Sequence, residues 1–307
     1  MALDYANVLK ALDVDFEVIG RGENSASAFT SAIEMNVSMG GIGIALNARP
    51  APKIAIVAVG VEQLASVTTQ LIESGTRSIL LEKPGGLNLE QISKLNDLAS
   101  VKKTKVWIAY NRRFYASVLR AEELIALDGG MTSVHYEFTE WSHLIRELPG
   151  DAEVKERLFL NNSTHVVDLV FHLSGIPQNW KCWQLGKIEW HPTAARFCGA
   201  GITNRGVLFS YLADWEAPGR WGIEILTRAH RFIFRPMEEL KVIPLGSVEM
   251  ALIELDDSLD KKFKPGLFLQ TDAFLKGGTD RLCSLKQQME HAVFYNEMAG
   301  YGLTNFA

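Results

Sequence analysis

The residues best placed for chemistry in the first half of the sequence follow a short apolar run at positions 78–81. This run predicts a buried parallel strand, and it ends in Glu82, Lys83 and Pro84. In open α/β sheets ligands bind beyond the carboxyl ends of the strands, so both charged side chains would lie where a reaction could occur. Pro84 restrains the backbone of Lys83, which would aim the ammonium group. The alternative interpretation is an ordinary turn with a surface lysine.

A second group of reactive side chains lies on a helix predicted near residues 163–173. Asp168 and His172 are four residues apart and would share one helical face, so the carboxylate could orient the imidazole as a general acid or base. His165 lies on nearly the same face. A surface pair is the alternative, and a zinc hydrolase is another. Because His165 and His172 would lie about 10 Å apart along the helix, joint ligation is unfavourable, and we expect no metal.

The elements that would position these groups change pattern near Asn111. Apolar runs at residues 16–19, 54–59, 78–81 and 105–110 predict strands alternating with helices, which is typical of a doubly wound parallel sheet. Between residues 180 and 255, strand-like runs separated by short turns predict an antiparallel or mixed sheet. We therefore predict an α/β chain with a first domain at residues 1–110 and an α+β domain at residues 111–307.

Composition excludes several classes of partner. The chain has 307 residues, a net charge of −5 and no basic run, so we expect no nucleic-acid partner. The three cysteines are widely spaced and fit neither a disulfide framework nor a paired-cysteine zinc site, which favours a reducing, cytoplasmic location. No apolar run approaches the roughly 20 residues of a membrane span, and residues near Met1 lack the basic-then-apolar pattern of a signal sequence, so we expect no membrane partner.

One short glycine turn indicates a nucleotide. Gly20, Arg21 and Gly22 follow the first predicted strand, with arginine where NAD enzymes often carry an acidic residue. Arg21 and Ser25 could hold a 2′-phosphate, which favours NADP over NAD. A plain turn is the alternative. The later glycines of residues 40–43 lack the Gly-x-Gly-x-x-Gly spacing, and we interpret them as turn or helix-packing residues.

Together these features resemble the glucose–fructose oxidoreductase / inositol dehydrogenase family of NAD(P)-dependent sugar oxidoreductases, over most of the chain. Glu82-Lys83-Pro84 is similar to the family's Glu-Lys-Pro signature, and residues 109–114 are similar to the segment that leaves its nucleotide domain. Asp168-x-x-x-His172 has the spacing of the family's catalytic pair. The resemblance implies a Rossmann-like domain at residues 1–110 that binds NADP or NAD. It implies that residues 111–307 form an α+β domain with a large, open, mainly antiparallel sheet. This domain would bind substrate and pair subunits in a homodimer or homotetramer.

The resemblance also implies roles for single residues. Lys83 would polarise a hydroxyl of a sugar or nucleotide sugar, His172 would take its proton, and Asp168 would orient His172. The bond between Lys83 and Pro84 is cis in many relatives. The residues that would contact the cofactor are Gly20, Arg21, Ser25, Val59, Gly60, Glu82 and Lys83. The residues that would line the substrate are Asn111, Arg113, Trp141, Asn162 and His165.

The chain departs from the family at its start, because the family's first strand and its Gly-x-Gly-x-x-Gly turn do not precede Ala2. That strand is the central one in the order 3-2-1-4-5-6, so the strands near Phe16 and Ile54 would lose their shared neighbour. One hypothesis is that the native chain carries about ten more upstream residues, as the fingerprint requires. The other is a true loss. The chain would then bind cofactor poorly, or another segment would fill the gap. The alternative function is that of a relative that has lost dinucleotide binding and acts as a sugar-binding or assembly partner.

Overall fold

The computed structural model describes residues 1–302 and divides the chain into two compact units. The first unit comprises Met1–Asn111 and Leu259–Met289, and the second comprises Arg112–Ser258 and Glu290–Ala307. The predicted fold class is confirmed, with a parallel sheet in the first unit and a large, mainly antiparallel sheet in the second. The division differs from a continuous domain at residues 111–307, because a late segment groups with the first unit. No helix in the described residues is long and apolar enough to cross a membrane.

The first unit alternates helices and strands as predicted. Its elements are α1 (Ala2–Ala11), β1 (Val18–Ile19), α2 (Glu23–Ile33), β2 (Val37–Ser38), α3 (Gly41–Ala48), β3 (Ile54–Val57), α4 (Val61–Glu73), β4 (Ser78–Glu82), α5 (Leu89–Lys102) and β5 (Lys105–Ala109). Three elements of the later segment follow in sequence: α10 (Ser258–Lys262), which begins at the unit boundary, α11 (Leu267–Lys276) and β14 (Cys283–Ser284).

The strands of the first unit form two separate sheets. β3, β4 and β5 are parallel neighbours, and β14 pairs antiparallel with the outer edge of β5. Residues Ile79, Leu80 and Leu81 of β4 are fully buried, which explains the uninterrupted apolar run, since parallel strands are covered on both faces. β1 and β2 pair in parallel as a two-stranded sheet of their own. β1 and β3 therefore do not share a neighbour among the described strands.

Helix α1 packs against elements of both sheets. Ala6 belongs to a small core with Phe29 and Ile33 of α2, against which Val18 of β1 also packs. On the same helix, the buried Tyr5 hydroxyl donates a 2.8 Å hydrogen bond to the Glu82 carboxylate at the end of β4. α1 therefore links the β1–β2 sheet to the four-stranded sheet.

The second unit is built on one large sheet. Its elements are α6 (Ala116–Leu127), β6 (Ser133–Glu137), α7 (Ser142–Glu147), α8 (Ala152–Glu156), α9 (Thr164–Ser174), β7 (Pro177–Leu185), β8 (Arg196–Thr203), β9 (Leu208–Asp214), β10 (Gly222–Leu226), β11 (His230–Phe234), β12 (Lys241–Pro244) and β13 (Ala251–Leu252). Helix α12 (Leu285–Ala299) begins in the first unit and ends in the second.

The large sheet has the order β13-β12-β11-β10-β6-β9-β8-β7, and its pairs are antiparallel except for β6 with β9. Helix α9 packs on β6 and β10 and buries Val166, Val167 and Val170. The alternation of the strands puts aromatic residues on this covered face. Large apolar side chains of the opposite face are more than 40% exposed: Trp183, Leu185, Ile202, Leu208 and Leu212.

Candidate functional site

Lys83 lies directly after β4, where the sequence predicted it. The side chain of Lys83 is partly buried, and the peptide bond to Pro84 is cis, as the resemblance implied. The carbonyl of Pro84 accepts a 2.9 Å hydrogen bond from Gln288. Burial raises the pKa of Glu82, and this effect exceeds the lowering by the Tyr5 hydrogen bond and the Lys83 charge. The strand end is therefore held by buried polar contacts within the first unit.

The other residues predicted to bind the cofactor lie at the carboxyl ends of β1 and β3. Arg21 and Ser25 are exposed just beyond β1, and the Ser25 hydroxyl donates to the carbonyl of Gly22 at 3.0 Å. Val59 and Gly60 are exposed between β3 and α4. Exposed strand ends of this kind suit a dinucleotide. The described residues include no Gly-x-Gly-x-x-Gly turn to receive a pyrophosphate.

Asp168 is held by an arginine rather than by the histidine that the spacing suggested. Its carboxylate accepts two hydrogen bonds from Arg113, at 2.8 Å from Nε and 2.6 Å from Nη2, and His291 Nδ1 lies 3.7 Å away. The pair is fully buried. Although burial alone would raise the pKa of Asp168, the Arg113 charge and the hydrogen bonds lower it. The fork of the guanidinium matches both carboxylate oxygens, which explains the preference. Arg113, expected to line the substrate, is 1% exposed in this ion pair.

His172 contacts a carboxylate from another helix. Its Nε2 lies 3.3 Å from Glu122 of α6, and the backbone carbonyl of His172 accepts a hydrogen bond from Arg205 at 3.2 Å. Burial lowers the pKa of His172, and the hydrogen bond to Glu122 offsets part of that effect. The neutral imidazole is therefore favoured, with Glu122 beside it.

The predicted residue Asn162 binds a buried carboxylate that the sequence analysis missed, and Trp141 and His165 contact residues next to it. The Glu140 side chain is fully buried and accepts hydrogen bonds from Ser163 at 2.8 Å, Asn162 at 3.0 Å and Arg220 at 2.9 Å. Burial raises the pKa of Glu140, and these bonds offset part of the effect. Asn162 and Ser163 come from a π-helical turn, Phe159–Ser163, just before α9; such turns often occur at functional sites.

Aromatic rings complete this group. Trp221 is buried, and the guanidinium carbon of Arg220 lies 4.2 Å from its ring centroid and 4.8 Å from that of Trp141. Trp141 is 46% exposed and donates its indole N–H to the carbonyl of Gly219 at 2.9 Å. The ring of His165 lies 5.9 Å from that of Trp221. We call Arg112, Glu140, Trp141, Arg220 and Trp221 the Arg–Trp cluster.

Of the remaining predicted lining residues, Asn111 belongs to the first unit, where its side chain donates to the carbonyl of Pro265 at 2.9 Å. Glu140, Arg112, Arg220 and Trp221 were missed as site residues. Glu140 lies just beyond the end of β6, and a position beyond a strand end is the signal that could have found it. The other three show no local pattern that separates them from core or surface residues.

Comparison with known proteins finds similarity in structure alone. No protein-family model and no curated protein sequence matches the chain. Levoglucosan dehydrogenase in complex with NADH and levoglucosan is similar with a TM-score of 0.78 and 15% identity, covering 98% of this chain and 94% of that one. The UDP-N-acetylglucosamine 3-dehydrogenase of Acidithiobacillus ferrooxidans has a TM-score of 0.74 and 13% identity, covering 97% and 93%. An NAD-binding oxidoreductase from Klebsiella pneumoniae has a TM-score of 0.75 and 12% identity, covering 97% and 91%.

These values confirm the resemblance at the level of the fold. The chain has the fold of these dehydrogenases, which is the one that its similarity to the glucose–fructose oxidoreductase / inositol dehydrogenase family implied.

Proposed function

We propose that the protein is an NAD(P)-dependent oxidoreductase that transfers hydride between a nicotinamide and a secondary alcohol of a sugar or sugar derivative. The observation that carries this proposal is the similarity in fold, over 98% of the chain, to a dehydrogenase in complex with NADH and a sugar. The position of Lys83 at the carboxyl end of β4 supports it. Nucleotide sugars belong to the proposed substrate class because one similar structure is a UDP-sugar dehydrogenase.

The cofactor would lie along the strand ends of the first unit. Val59, Gly60 and Glu82 would contact it, and the exposed Arg21, with Gly20 and Ser25, would hold a 2′-phosphate, so we propose NADP over NAD. When bound, the oxidised nicotinamide ring would be the hydride acceptor. Lys83 would donate a hydrogen bond to the reacting hydroxyl and stabilise the negative charge that develops on its oxygen.

A histidine of α9 would take the hydroxyl proton while the carbon loses a hydride, so that the alcohol becomes a ketone. The sequence spacing favours His172 as this base. The contacts favour His165, because it lies against Trp221 in the same group as Asn162 and Trp141, whereas His172 lies beside Glu122. We therefore propose His165 as the base and keep His172 as the alternative. Asp168 would act by holding α9 through Arg113 rather than by touching substrate.

A second candidate function is a sugar-binding or assembly protein that has lost dinucleotide binding. It is favoured by the separation of the β1–β2 sheet from the four-stranded sheet and by the absence of a Gly-x-Gly-x-x-Gly turn from the described residues. Cofactor binding discriminates between the two candidates.

Titration of NADPH and NADH into the protein, followed by calorimetry, tests the proposal. We expect saturable binding of NADPH with a dissociation constant between about 1 μM and 1 mM, the range that is typical of enzyme ligands. Arg21→Ala should weaken NADPH binding by about tenfold and leave NADH binding unchanged, because a charged hydrogen bond contributes about 1.5–3 kcal/mol. Arg77→Ala, at an arginine outside the cofactor residues, is the control. Failure of both nucleotides to bind would support the second candidate.

A further inference from the structure

We propose that the substrate carries an anionic group, a carboxylate or a phosphate, and that Arg112 of the Arg–Trp cluster binds it. This inference rests on the proposed function and narrows its substrate class. Arg112 was assigned no role by the sequence analysis, although it lies in the 3-10 turn Asn111–Phe114 next to Arg113.

The cluster contains two guanidinium groups on one indole ring. The guanidinium carbon of Arg112 lies 4.5 Å from the ring centroid of Trp221, and that of Arg220 lies 4.2 Å from the same centroid. Arg112 also lies 5.7 Å from the ring centroid of Tyr115. The face of an aromatic ring attracts cations, so the Trp221 indole holds both guanidinium groups beside it. The indole does not neutralise either positive charge.

The two arginines differ in their counter-ions. Arg220 donates to the buried Glu140 at 2.9 Å, whereas Arg112 has no ion pair with any described residue. Its Nε is buried and lacks a hydrogen-bond partner within residues 1–302. Burial lowers the pKa of Arg112. The negative charges of Glu238 and Glu140, neither of which forms an ion pair with Arg112, offset part of that lowering. Within the cluster, two arginines therefore face one carboxylate.

A partly buried cation with a buried N–H that lacks an acceptor is costly to the fold, and a ligand that supplies the acceptor would lower that cost. Arginine binds carboxylates and phosphates through two parallel hydrogen bonds, and an anionic ligand would supply the missing acceptor. The position agrees with this role. Trp221, on which Arg112 lies, also contacts the ring of His165, our candidate base. A sugar with its reacting hydroxyl at His165 could thus place an anionic substituent toward Arg112, with the exposed Trp141 indole beside it.

The test compares matched sugars with and without an anion. The probes are glucose and galactose, their uronates glucuronate and galacturonate, and glucose 6-phosphate, each titrated by calorimetry with and without NADPH. We expect at least one anionic probe to bind about tenfold or more tightly than its neutral partner. The uronates and the phosphate distinguish the two sources of the anion. Equal binding of every matched pair, or no saturable binding of any anionic probe, would overturn the proposal.

Variants assign the effect to the residue. Arg112→Gln should abolish the preference for the anionic probe, and Arg112→Lys should keep part of it because it keeps the charge. Arg228→Gln removes an arginine from the turn between β10 and β11 and should leave the preference unchanged. Thermal unfolding of each variant separates lost binding from lost folding. A preference that persists in folded Arg112→Gln contradicts the assignment. Because the sugars are also titrated without NADPH, failure of cofactor binding is distinguishable from failure of anion recognition.

Discussion

His165 and His172 share a helix but have different surroundings, and this difference sets what each can do. A general base must reach the proton that it removes. His172 lies within 3.3 Å of Glu122, so its contacts are those of a side chain that joins α9 to α6. The ring of His165 lies 5.9 Å from the indole of Trp221, an amphipathic ring of the kind that packs against ligands.

We expect His165→Asn to lower kcat by about 10²–10⁴-fold, the usual contribution of a general base. His172→Asn should change kcat only several-fold and act mainly on stability. The measurement is NADPH formation at 340 nm with a substrate found by screening sugars and nucleotide sugars, together with the thermal unfolding of both variants. A large loss of kcat in His172→Asn with full activity in His165→Asn would restore the assignment made from the sequence spacing.

At the scale of elements, the Arg113–Asp168 pair fastens α9 to the turn at Asn111–Phe114. Both side chains are almost completely buried, so removing one partner leaves an uncompensated charge. We expect Asp168→Asn to lower the free energy of unfolding by about 3–5 kcal/mol. Urea unfolding followed by circular dichroism measures the loss. The double variant Arg113→Leu/Asp168→Leu should recover part of it, because no unpaired charge remains; a double variant that is less stable than Asp168→Asn would contradict this reasoning.

The same pair predicts a pH dependence. Since the folded pKa of Asp168 lies below its ordinary value, its stabilisation is complete above the unfolded pKa, about 3.9. It is lost as the pH falls through the lower folded pKa. Urea unfolding between pH 2 and 6 should therefore show a steeper acid loss in the wild type than in Asp168→Asn, where this group no longer titrates. Identical slopes would show that the carboxylate has no depressed pKa.

Elements with a long local pattern could be predicted from the sequence, and short ones could not. The apolar run of β4 and the pattern of α9 indicated their positions because burial acts on neighbouring residues. Two-residue strands such as β14 depend on pairing with a distant strand, which leaves no local pattern. The spacing of Asp168 and His172 indicated that the two residues share a helical face. It could not indicate that Asp168 pairs with Arg113, which lies 55 positions earlier in the sequence. The burial of Glu140 likewise depends on Arg220, which lies 80 positions later.

At the scale of the whole molecule, the exposed apolar face of the large sheet indicates an interface with another protein chain. Trp183, Leu185, Leu208 and Leu212 are each more than half exposed on that face, and contiguous apolar patches of this kind usually mark interfaces. Because homo-oligomers most often pair through the same patch on each subunit, we propose a homodimer, or a homotetramer built from it, that associates through this sheet.

Light scattering tests this association. We expect the wild-type protein to have at least twice the mass of one chain, and Leu185→Asp/Leu212→Asp to lower that mass toward one chain, since buried charges destabilise an apolar interface. Leu127→Asp alters a leucine that is 81% exposed at the end of α6 and should leave the mass unchanged. A wild-type protein that is monomeric at all concentrations, or a double variant with unaltered mass, would contradict the proposed interface.

The division of the chain has a consequence for biosynthesis. The first unit is assembled from Met1–Asn111 and Leu259–Met289, and the later piece supplies α11 and the edge strand β14. Because the ribosome synthesises the amino end first, residues 1–111 lack α11 and β14 until Arg112–Ser258 of the second unit has been translated. During that interval one edge of β5 is uncovered, and an open strand edge is a site where nascent chains aggregate. A gene cut after Asn111 would therefore encode an incomplete unit.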